Sequence, residues 1–275
     1  MPLKLMYITN RPDVALIADH AGVDRIFVDM EYIGKELRQG GMNSVQNHHT
    51  ADDVQALRQV LAGSKLLVRV NPIHAATECY GSSREEVDEV IAAGADIVML
   101  PYFKTVSEVE QFVSLVAGRA HTMLLLETPE AAKALPQILR IPGIDEIHIG
   151  INDLSLGMGK RFMFQLLADG TVEHLCQQIK QAGIPYGFGG IAALGKGLVP
   201  AEMIIKEHYR LGSSMAILSR AFCNVSDYDN LQSIQEVFES GVREIRALED
   251  ECAYHMGYFM SNQEALRRAV AKVVA

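Results

Sequence analysis

One local pattern recurs along the whole chain: a helical stretch ends, a glycine follows, and a short apolar run begins within a few residues. Glycine suits such a helix C-terminus because it adopts the left-handed conformation without a Cβ clash. Runs that are apolar almost throughout are typical of parallel strands covered by helices. Eight strands alternating with helices over about 220 residues predict an α/β protein with a single closed (β/α)8 barrel, or TIM barrel. The runs occupy 4–9, 25–30, 65–70, 96–101, 122–127, 146–151, 185–190 and 213–219.

A doubly wound open sheet is the alternative fold for this order of elements. Its first strand is usually followed by a glycine-rich fingerprint, whereas the first strand here is followed by Thr-Asn-Arg-Pro at 9–12. The helices also carry start signals. Thr50, Ser82 and Thr105 are each followed three residues later by an acidic residue, which predicts capping boxes.

The last fifty residues exceed what the eighth helix of a barrel needs. Apolar residues from Leu231 to Leu248 fall at helical spacing and predict one long amphipathic helix, and Ser261 begins another. We predict a barrel domain at 1–225 and C-terminal helices at 226–275. These helices complete the barrel by packing on it, contact a neighbouring subunit of a homo-oligomer, or do both.

Composition excludes several classes of partner. The chain has 25 basic and 34 acidic residues, a net charge of −9, which argues against nucleic acid or an anionic membrane as the main partner. No apolar run approaches the roughly 18 residues of a membrane span. The four cysteines are far apart, which predicts free thiols in a reducing cytoplasm.

The candidate site lies where strands end, because barrel enzymes carry their active sites at the C-terminal ends of the strands. The ends of strands 2, 3, 5 and 6 supply polar or charged side chains there. The segment that follows strand 6 begins with Gly150. The residues are Asp29, Glu31 and Tyr32 after strand 2, Arg69 and Asn71 after strand 3, Glu127 after strand 5, and Gly150, Asn152 and Asp153 after strand 6.

Glu127 and Asp153 follow adjacent strands and can converge. Two carboxylates without a nearby cysteine suit a hard divalent cation, Mg2+ or Mn2+. The alternatives are an N-cap role for Asp153 and a salt bridge at the rim for Glu127. Arg69 is placed to bind a carboxylate or to stabilise an enolate oxygen. A structural pairing of Arg69 with Asp29 or Glu31 is compatible with that role, because a guanidinium has five donors.

Histidines and glycines supply further candidates. His48 and His49 fall in the long loop after strand 2 and are candidate general bases. His148 alternates with isoleucines inside strand 6, which indicates a core histidine. The glycine-rich segment Gly187–Gly197 is either a phosphate-binding loop or a sterically small one. No strand interior carries a lysine, so Schiff-base chemistry is disfavoured.

Taken together, the sequence resembles the HpcH/HpaI aldolase and citrate lyase β-subunit family of the pyruvate/phosphoenolpyruvate barrel superfamily. The resemblance covers most of the chain in the family's order. It rests on the stretches at 21–31, 66–71, 93–101, 124–131 with 141–159, and 211–222.

The resemblance implies specific roles for the candidate residues. A divalent metal would be held by Glu127 and Asp153, and Arg69 would bind a 2-oxo acid and stabilise its enolate. Backbone N–H groups from Gly150 to Asp153 would hold the substrate carboxylate. Family members commonly form trimers or hexamers in which a C-terminal helix packs on a neighbouring barrel.

Further substrate contacts are predicted at the same strand ends. These contacts are assigned to Asp29, Glu31, Asn71, Gly150 and Asn152.

One position departs from the family pattern. The family's pyruvate aldolases usually have histidine directly after the glutamate of the D-x-E stretch, and the citrate-lyase-like branch has an acidic residue, whereas this chain has Tyr32. The proton carrier is therefore Tyr32 itself, His48, His49 or a metal-bound water, unless it is absent.

The leading hypothesis is a metal-dependent carbon–carbon lyase of the aldolase type. It would form or cleave a bond next to a pyruvate-like 2-oxo acid through a metal-bound enolate, with an aldehyde as the second substrate. The alternatives are a citrate-lyase-like enzyme acting on an acyl-CoA thioester, a phosphorylated-sugar or phosphoenolpyruvate enzyme on the same barrel, and a non-catalytic ligand-binding homologue.

Overall fold

The fold is a closed barrel of eight parallel strands in sequence order, with β8 returning to pair with β1. The computed structural model describes residues 2–34 and 49–275. The predicted TIM barrel is confirmed, and the closing β1–β8 pair excludes the open sheet. The strands are β1 (Lys4–Ile8), β2 (Arg25–Asp29), β3 (Lys65–Arg69), β4 (Ile97–Leu100), β5 (His121–Leu126), β6 (Glu146–Ile149), β7 (Tyr186–Ile191) and β8 (Met215–Leu218).

Helices in the described ranges cover the outside of the barrel. The predicted capping boxes at Thr50, Ser82 and Thr105 are present, each with both reciprocal hydrogen bonds. The helices are α1 (Pro12–His20), α2 (Ala51–Val60), α3 (Ser83–Ala92), α4 (Val106–Val116), α5 (Pro129–Ile138), α6 (Ile151–Gly157), α7 (Gln165–Ala168), α8 (Thr171–Gln181), α9 (Ala201–Leu211), α10 (Leu231–Tyr254) and α11 (Phe259–Val274).

The C-terminal segment forms the two predicted helices. The long helix α10 packs against α1 and α9, and α11 packs against α9 and α7. Helix α11 begins at Phe259, two residues before the predicted Ser261, whose hydroxyl donates to the Tyr258 carbonyl. Both helices therefore pack on their own barrel, while the domain boundary at 225 and a contact with a neighbouring subunit stay predictions.

The inside of the barrel is a thin apolar layer between two charged ends. On β2 the inward side chains are Arg25 at the bottom, Phe27 in the middle and Asp29 at the top. Most of the core lies outside this layer, between the strands and the helices. The side chains that pack with Phe27 inside the barrel include Met6, Leu67, Met99, Met123, Leu125 and Met215.

A buried ion pair holds the bottom of the barrel together. Arg25 donates to both oxygens of Glu146 at 2.6 and 2.8 Å, and the Lys4 ammonium lies 2.8 Å from the same carboxylate. Burial alone would raise the pKa of Glu146, but the hydrogen bond and charge of Arg25, with those of Lys4, outweigh it and lower the pKa. The pair formed by Arg25 and Glu146 joins β2 to β6 across the barrel interior.

Two other sequence predictions bear on the class of protein. All four cysteines are free thiols, three of them buried. Across residues 2–34 and 49–275, no helix combines the length and the apolar character that crossing a membrane requires.

We expect Glu146→Gln to lower the free energy of unfolding by about 3 kcal/mol at pH 7, because the buried Arg25 loses its ionic partner. Since the folded pKa of Glu146 is lowered, its ionised form stabilises the fold above the unfolded pKa of about 4.3. That contribution is lost as the pH falls through the lower, folded pKa. Urea denaturation from pH 7 to pH 3 should therefore show the difference between wild type and variant shrinking.

The matched control is Glu110→Gln, at an exposed position of α4. It should change the free energy of unfolding by less than about 0.5 kcal/mol. A variant at Glu146 as stable as this control would refute the structural role of the buried pair.

Candidate active site

A cavity of about 390 Å3 opens at the C-terminal ends of the strands. Its position agrees with the predicted active face of the barrel. The predicted site residues that line it are Asp29, Arg69, Glu127, Gly150, Asn152 and Asp153. The structure thus brings together residues that are more than 120 positions apart in the sequence.

Arg69 is held by two buried acids at the end of β2. Its Nε and one terminal nitrogen donate to the two oxygens of Asp29, both at 2.8 Å, and the other terminal nitrogen lies 3.3 Å from Glu31. Burial would lower the pKa of Arg69, but the charges of Asp29 and Glu31 outweigh it and raise the pKa. The structural pairing of Arg69 considered from the sequence is present, and it fixes the guanidinium over the cavity.

Glu127 is a buried carboxyl group in a crowded, acidic place. Its side chain is 4% exposed, and one oxygen accepts a hydrogen bond from the Tyr102 N–H at 3.0 Å. Its pKa is raised well above the ordinary value, first by burial and then by the negative charges of Glu31 and Asp153, with Arg69 opposing them. Burial and the neighbouring acids therefore disfavour the ionised form of this carboxyl group.

Gly150 leaves the space that the Glu127 side chain occupies. A Cβ atom at position 150 would lie 2.7 Å from Cβ and 2.9 Å from Oε2 of Glu127. The N–H of Gly150 donates to the Leu126 carbonyl at 3.0 Å, so it continues the pairing of β5 and β6. The glycine at the end of strand 6 is thus explained by the close approach of Glu127.

Asp153 lies in the first turn of α6 and is half-buried. The N-cap of that helix is Gly150, so the N-cap role considered for Asp153 is wrong. Asn152 donates to Asp153 at 3.1 Å and is itself exposed. Helix α6 therefore directs the Asp153 carboxylate to the cavity wall beside Glu127.

The remaining predicted residues either do not line this cavity or lie outside the described part of the chain. Tyr32 is 44% exposed, and its N–H donates to the Asn71 side chain at 2.9 Å. Asn71 in turn donates to the Met30 carbonyl, so it links the ends of β2 and β3. His49 accepts a hydrogen bond from the Asp29 N–H at 3.0 Å through Nδ1. His48 lies outside the described residues.

Glu31, Tyr32, Asn71 and His49 are not among the residues that line the cavity in the described part of the chain. Their assignment as proton carriers or substrate contacts stays a prediction, as does that of His48.

Some lining residues were not expected from the sequence. His148 was interpreted as a core histidine, and Tyr7, Ser219 and Arg220 were not singled out, yet all four line the cavity. His148 has the same strand parity as Glu146 and Gly150, and this signal could have placed it inside the barrel. From the predicted Gly187–Gly197 segment, Gly189 and Gly190 also line the cavity.

A second, smaller cavity of about 220 Å3 shares Glu127 and Asp153 with the first. Tyr102 lines it and adopts a left-handed backbone conformation with φ of 48°, which is uncommon for a bulky residue. The same residue supplies the N–H that binds Glu127. The other lining residues of this cavity are Thr128, Pro129, Leu156 and Gly157.

The sequence of the chain is similar to that of known proteins. The model of the HpcH/HpaI aldolase/citrate lyase family matches residues 4–184. A 4-hydroxy-2-oxo-heptane-1,7-dioate aldolase of Klebsiella pneumoniae is 36% identical over 92 residues, which are 33% of this chain and 31% of that protein. The aligned part thus spans about a third of that relative.

Solved structures show the same fold. An HpcH/HpaI aldolase/citrate lyase family protein from Burkholderia cenocepacia has a TM-score of 0.63 at 16% identity, over 86% of this chain and 94% of that one. An HpcH/HpaI aldolase from Desulfitobacterium hafniense has a TM-score of 0.58 at 17% identity, over 89% and 93%. With the family match over most of its length, this chain belongs to the HpcH/HpaI aldolase/citrate lyase family.

We expect Gly150→Ala to displace the Glu127 carboxylate, because the added methyl group would overlap its side chain. Overpacking of this kind lowers the free energy of unfolding by about 1–3 kcal/mol. Denaturation and a crystal structure of the variant would measure both effects.

Gly257→Ala is the control, since a Cβ atom there meets no heavy atom within 4 Å. An unmoved Glu127 in the Gly150→Ala variant, with control-like stability, would contradict the expectation.

Proposed function

We propose that this protein is a carbon–carbon lyase of the aldolase type, acting next to the carbonyl of a pyruvate-like 2-oxo acid. The observation that carries the proposal is the placement of Arg69 beside the carboxylates Glu127 and Asp153 in one cavity at the active face of the barrel. A cavity of about 390 Å3 lies within the range of small-molecule sites. Membership of a family of aldolases and lyases supports the same chemistry.

The donor set fits a divalent cation such as Mg2+ or Mn2+. Among the described residues that act most strongly on the Glu127 carboxyl, Glu31 and Asp153 are negative and Arg69 is positive. Burial and these two acids disfavour the ionised form of Glu127, and a cation bound beside it would favour that form.

Glu127 and Asp153 are the residues that would hold the ion. Within residues 2–34 and 49–275, no group of three or more His, Cys, Asp or Glu side chains could form a complete metal cage. Mg2+ is commonly bound by one or two carboxylates with water and substrate oxygens, so two protein ligands suffice. When bound, the ion would supply Lewis-acid polarisation of the 2-oxo group.

Arg69 would perform the anion-binding part of the reaction. Some N–H donors of Arg69 are not used by Asp29 or Glu31. They can bind the substrate carboxylate or the oxygen that becomes negative as the carbon–carbon bond breaks. Because Asp29 and Glu31 fix the guanidinium before the substrate arrives, little reorganisation is needed when that charge develops. Asn152 lines the same cavity and can contact the substrate from the side of α6.

A phosphorylated acid is the second candidate substrate. Gly189 and Gly190 of β7 line the cavity together with Ser219 and Arg220, which follow β8. The loops after strands 7 and 8 bind phosphate in many barrels. This candidate would be favoured if phosphoenolpyruvate competed with the 2-oxo acid more strongly than oxalate does.

A homo-oligomer, trimeric or hexameric, remains part of the proposal. Two large apolar side chains of the C-terminal segment support it, since Tyr254 is 83% exposed and Met260 is 74% exposed. An acyl-CoA thioester in place of the aldehyde is the alternative second substrate of the same carbon–carbon lyase.

We expect the protein with Mg2+ or Mn2+ to exchange the methyl protons of pyruvate for deuterium, since enolate formation needs no second substrate. Glu127→Gln should weaken both metal binding and exchange by roughly 100-fold, because the loss of a charged ligand in a buried site costs about 3 kcal/mol. Proton NMR follows the exchange, and calorimetry measures the metal affinity.

Glu130→Gln is the matched control, three residues away and half-exposed on α5. It should leave both quantities unchanged. The proposal fails if wild type never exchanges these protons with either ion and Glu127→Gln binds metal as wild type does.

We expect Arg69→Lys to weaken oxalate binding roughly tenfold to 100-fold, because an ammonium cannot reproduce the bidentate geometry of a guanidinium. Calorimetry in the presence of Mg2+ measures the change. Arg119→Lys is the control, since Arg119 forms an exposed pair with Asp88. Equal oxalate affinity in wild type and Arg69→Lys would remove Arg69 from the binding site.

A further inference from the structure

His148 is a buried histidine inside the barrel that the proposed chemistry does not use. It lies on β6 between Glu146 below and Gly150 above, and its side chain is 1% exposed. Its strand neighbour in the register of β5 is Leu125. Together with Arg69 and Leu125 it lines the 390 Å3 cavity, so it belongs to the surface that a bound ligand meets.

One hydrogen bond fixes the orientation and tautomer of this imidazole. Nε2 lies 3.1 Å from the Gly189 carbonyl oxygen. A carbonyl oxygen only accepts hydrogen bonds, so Nε2 carries a hydrogen and the ring cannot be flipped without losing the bond. Burial, aided by the charges of Arg25 and Arg69 against the Gly189 bond, lowers the pKa of His148 to about 4. The ring is therefore neutral at pH 7, and Nδ1 is an acceptor.

That acceptor has no donor among the residues that the structure describes. Nδ1 has almost no accessible surface in the ligand-free protein, so a ligand hydroxyl reaches it only when the side chains at this part of the cavity wall move apart. The large majority of buried side-chain polar atoms in proteins have a partner, and one that lacks a partner calls for an explanation such as strain, a catalytic role, a bound water or an ion. The position of His148 at a cavity makes a ligand the natural source of the donor.

A second buried histidine, His208, also has an unsatisfied nitrogen but lies away from the cavity. His208 on α9 is fully buried, and its Nε2 also lacks a hydrogen-bond partner among the described residues. Its ring stacks on Phe188 at 3.9 Å, and its Nδ1 pairs with the Ser213 hydroxyl at 2.8 Å. His208 is not among the lining residues of the 390 Å3 cavity, which separates it from His148.

We propose that His148 contacts the substrate and accepts, through Nδ1, a hydrogen bond from the hydroxyl group of a 4-hydroxy-2-oxo acid. The inference rests on the proposed function. At neutral pH the carboxylate and the 2-oxo group of such a substrate only accept hydrogen bonds. The hydroxyl that every cleavable aldol carries is the donor that the reaction guarantees. His148 would thus select the aldol over a 2-oxo acid that lacks the hydroxyl.

The test compares two ligands that cannot be cleaved. 2,4-Dihydroxybutanoate and 2-hydroxybutanoate have no carbonyl to form an enolate, and they differ only in the hydroxyl at carbon 4. With Mg2+ present, wild type should bind the dihydroxy acid roughly tenfold tighter, the usual effect of one neutral hydrogen bond. His148→Phe should bind both acids equally and should bind oxalate as wild type does.

His208→Phe is the matched control, because it removes the other unsatisfied histidine without changing the cavity lining. It should keep the wild-type preference. A preference retained by His148→Phe, or absent from wild type, overturns the inference and leaves the proposed function standing. Failure of wild type to bind oxalate at all overturns the proposed function, and the inference with it.

Should His148→Phe fail to fold, nitrogen NMR of the wild-type protein with labelled histidine decides the question. The Nδ1 resonance of the neutral His148 ring should shift on addition of 2,4-dihydroxybutanoate and stay in place with 2-hydroxybutanoate. An identical response to the two acids overturns the inference.

Discussion

The arrangement at the mouth of the barrel depends on the pairing of Arg69 with Asp29 and Glu31. The register that sets Asp29 opposite Arg69 on neighbouring strands brings the two side chains together inside the barrel. Three buried or nearly buried charged groups are thereby fixed in a region that water does not screen well. Both the acids and the guanidinium act on Glu127. Burial and the acids raise its pKa more than Arg69 lowers it.

The two ends of the barrel handle charge differently. At the bottom, Glu146 is matched by Arg25 and Lys4, and its pKa is lowered. At the top, burial and the charges of Glu31 and Asp153 outweigh the charge of Arg69, and the pKa of Glu127 is raised. The ion pair at the bottom stabilises the fold, whereas the top places a carboxyl group with a raised pKa in the wall of the cavity.

The fold and the central part of the site were predictable from local signals. Glycine-led apolar runs gave the eight strands, and the position of Glu127, Asp153 and Arg69 at strand ends gave their convergence. Interactions that depend on three-dimensional approach were not predictable. Nothing in the sequence indicates that the Tyr102 N–H donates a hydrogen bond to Glu127. His148 lies between two isoleucines in the sequence. Only the alternation of side chains along the strand distinguishes a histidine that faces the barrel interior from one that packs against the helices.

The helix α10 also ties the first strand to the end of the chain. Glu249 accepts the Leu3 N–H at 2.6 Å, and Arg246 donates to the Leu3 carbonyl at 2.7 Å, just before β1 begins. The first strand thus obtains its partner β8 and these bonds only after some 250 residues have been synthesised. Contacts so distant in sequence slow folding. During synthesis, the edge of β1 that pairs with β8 therefore stays unpaired until β8 has been made.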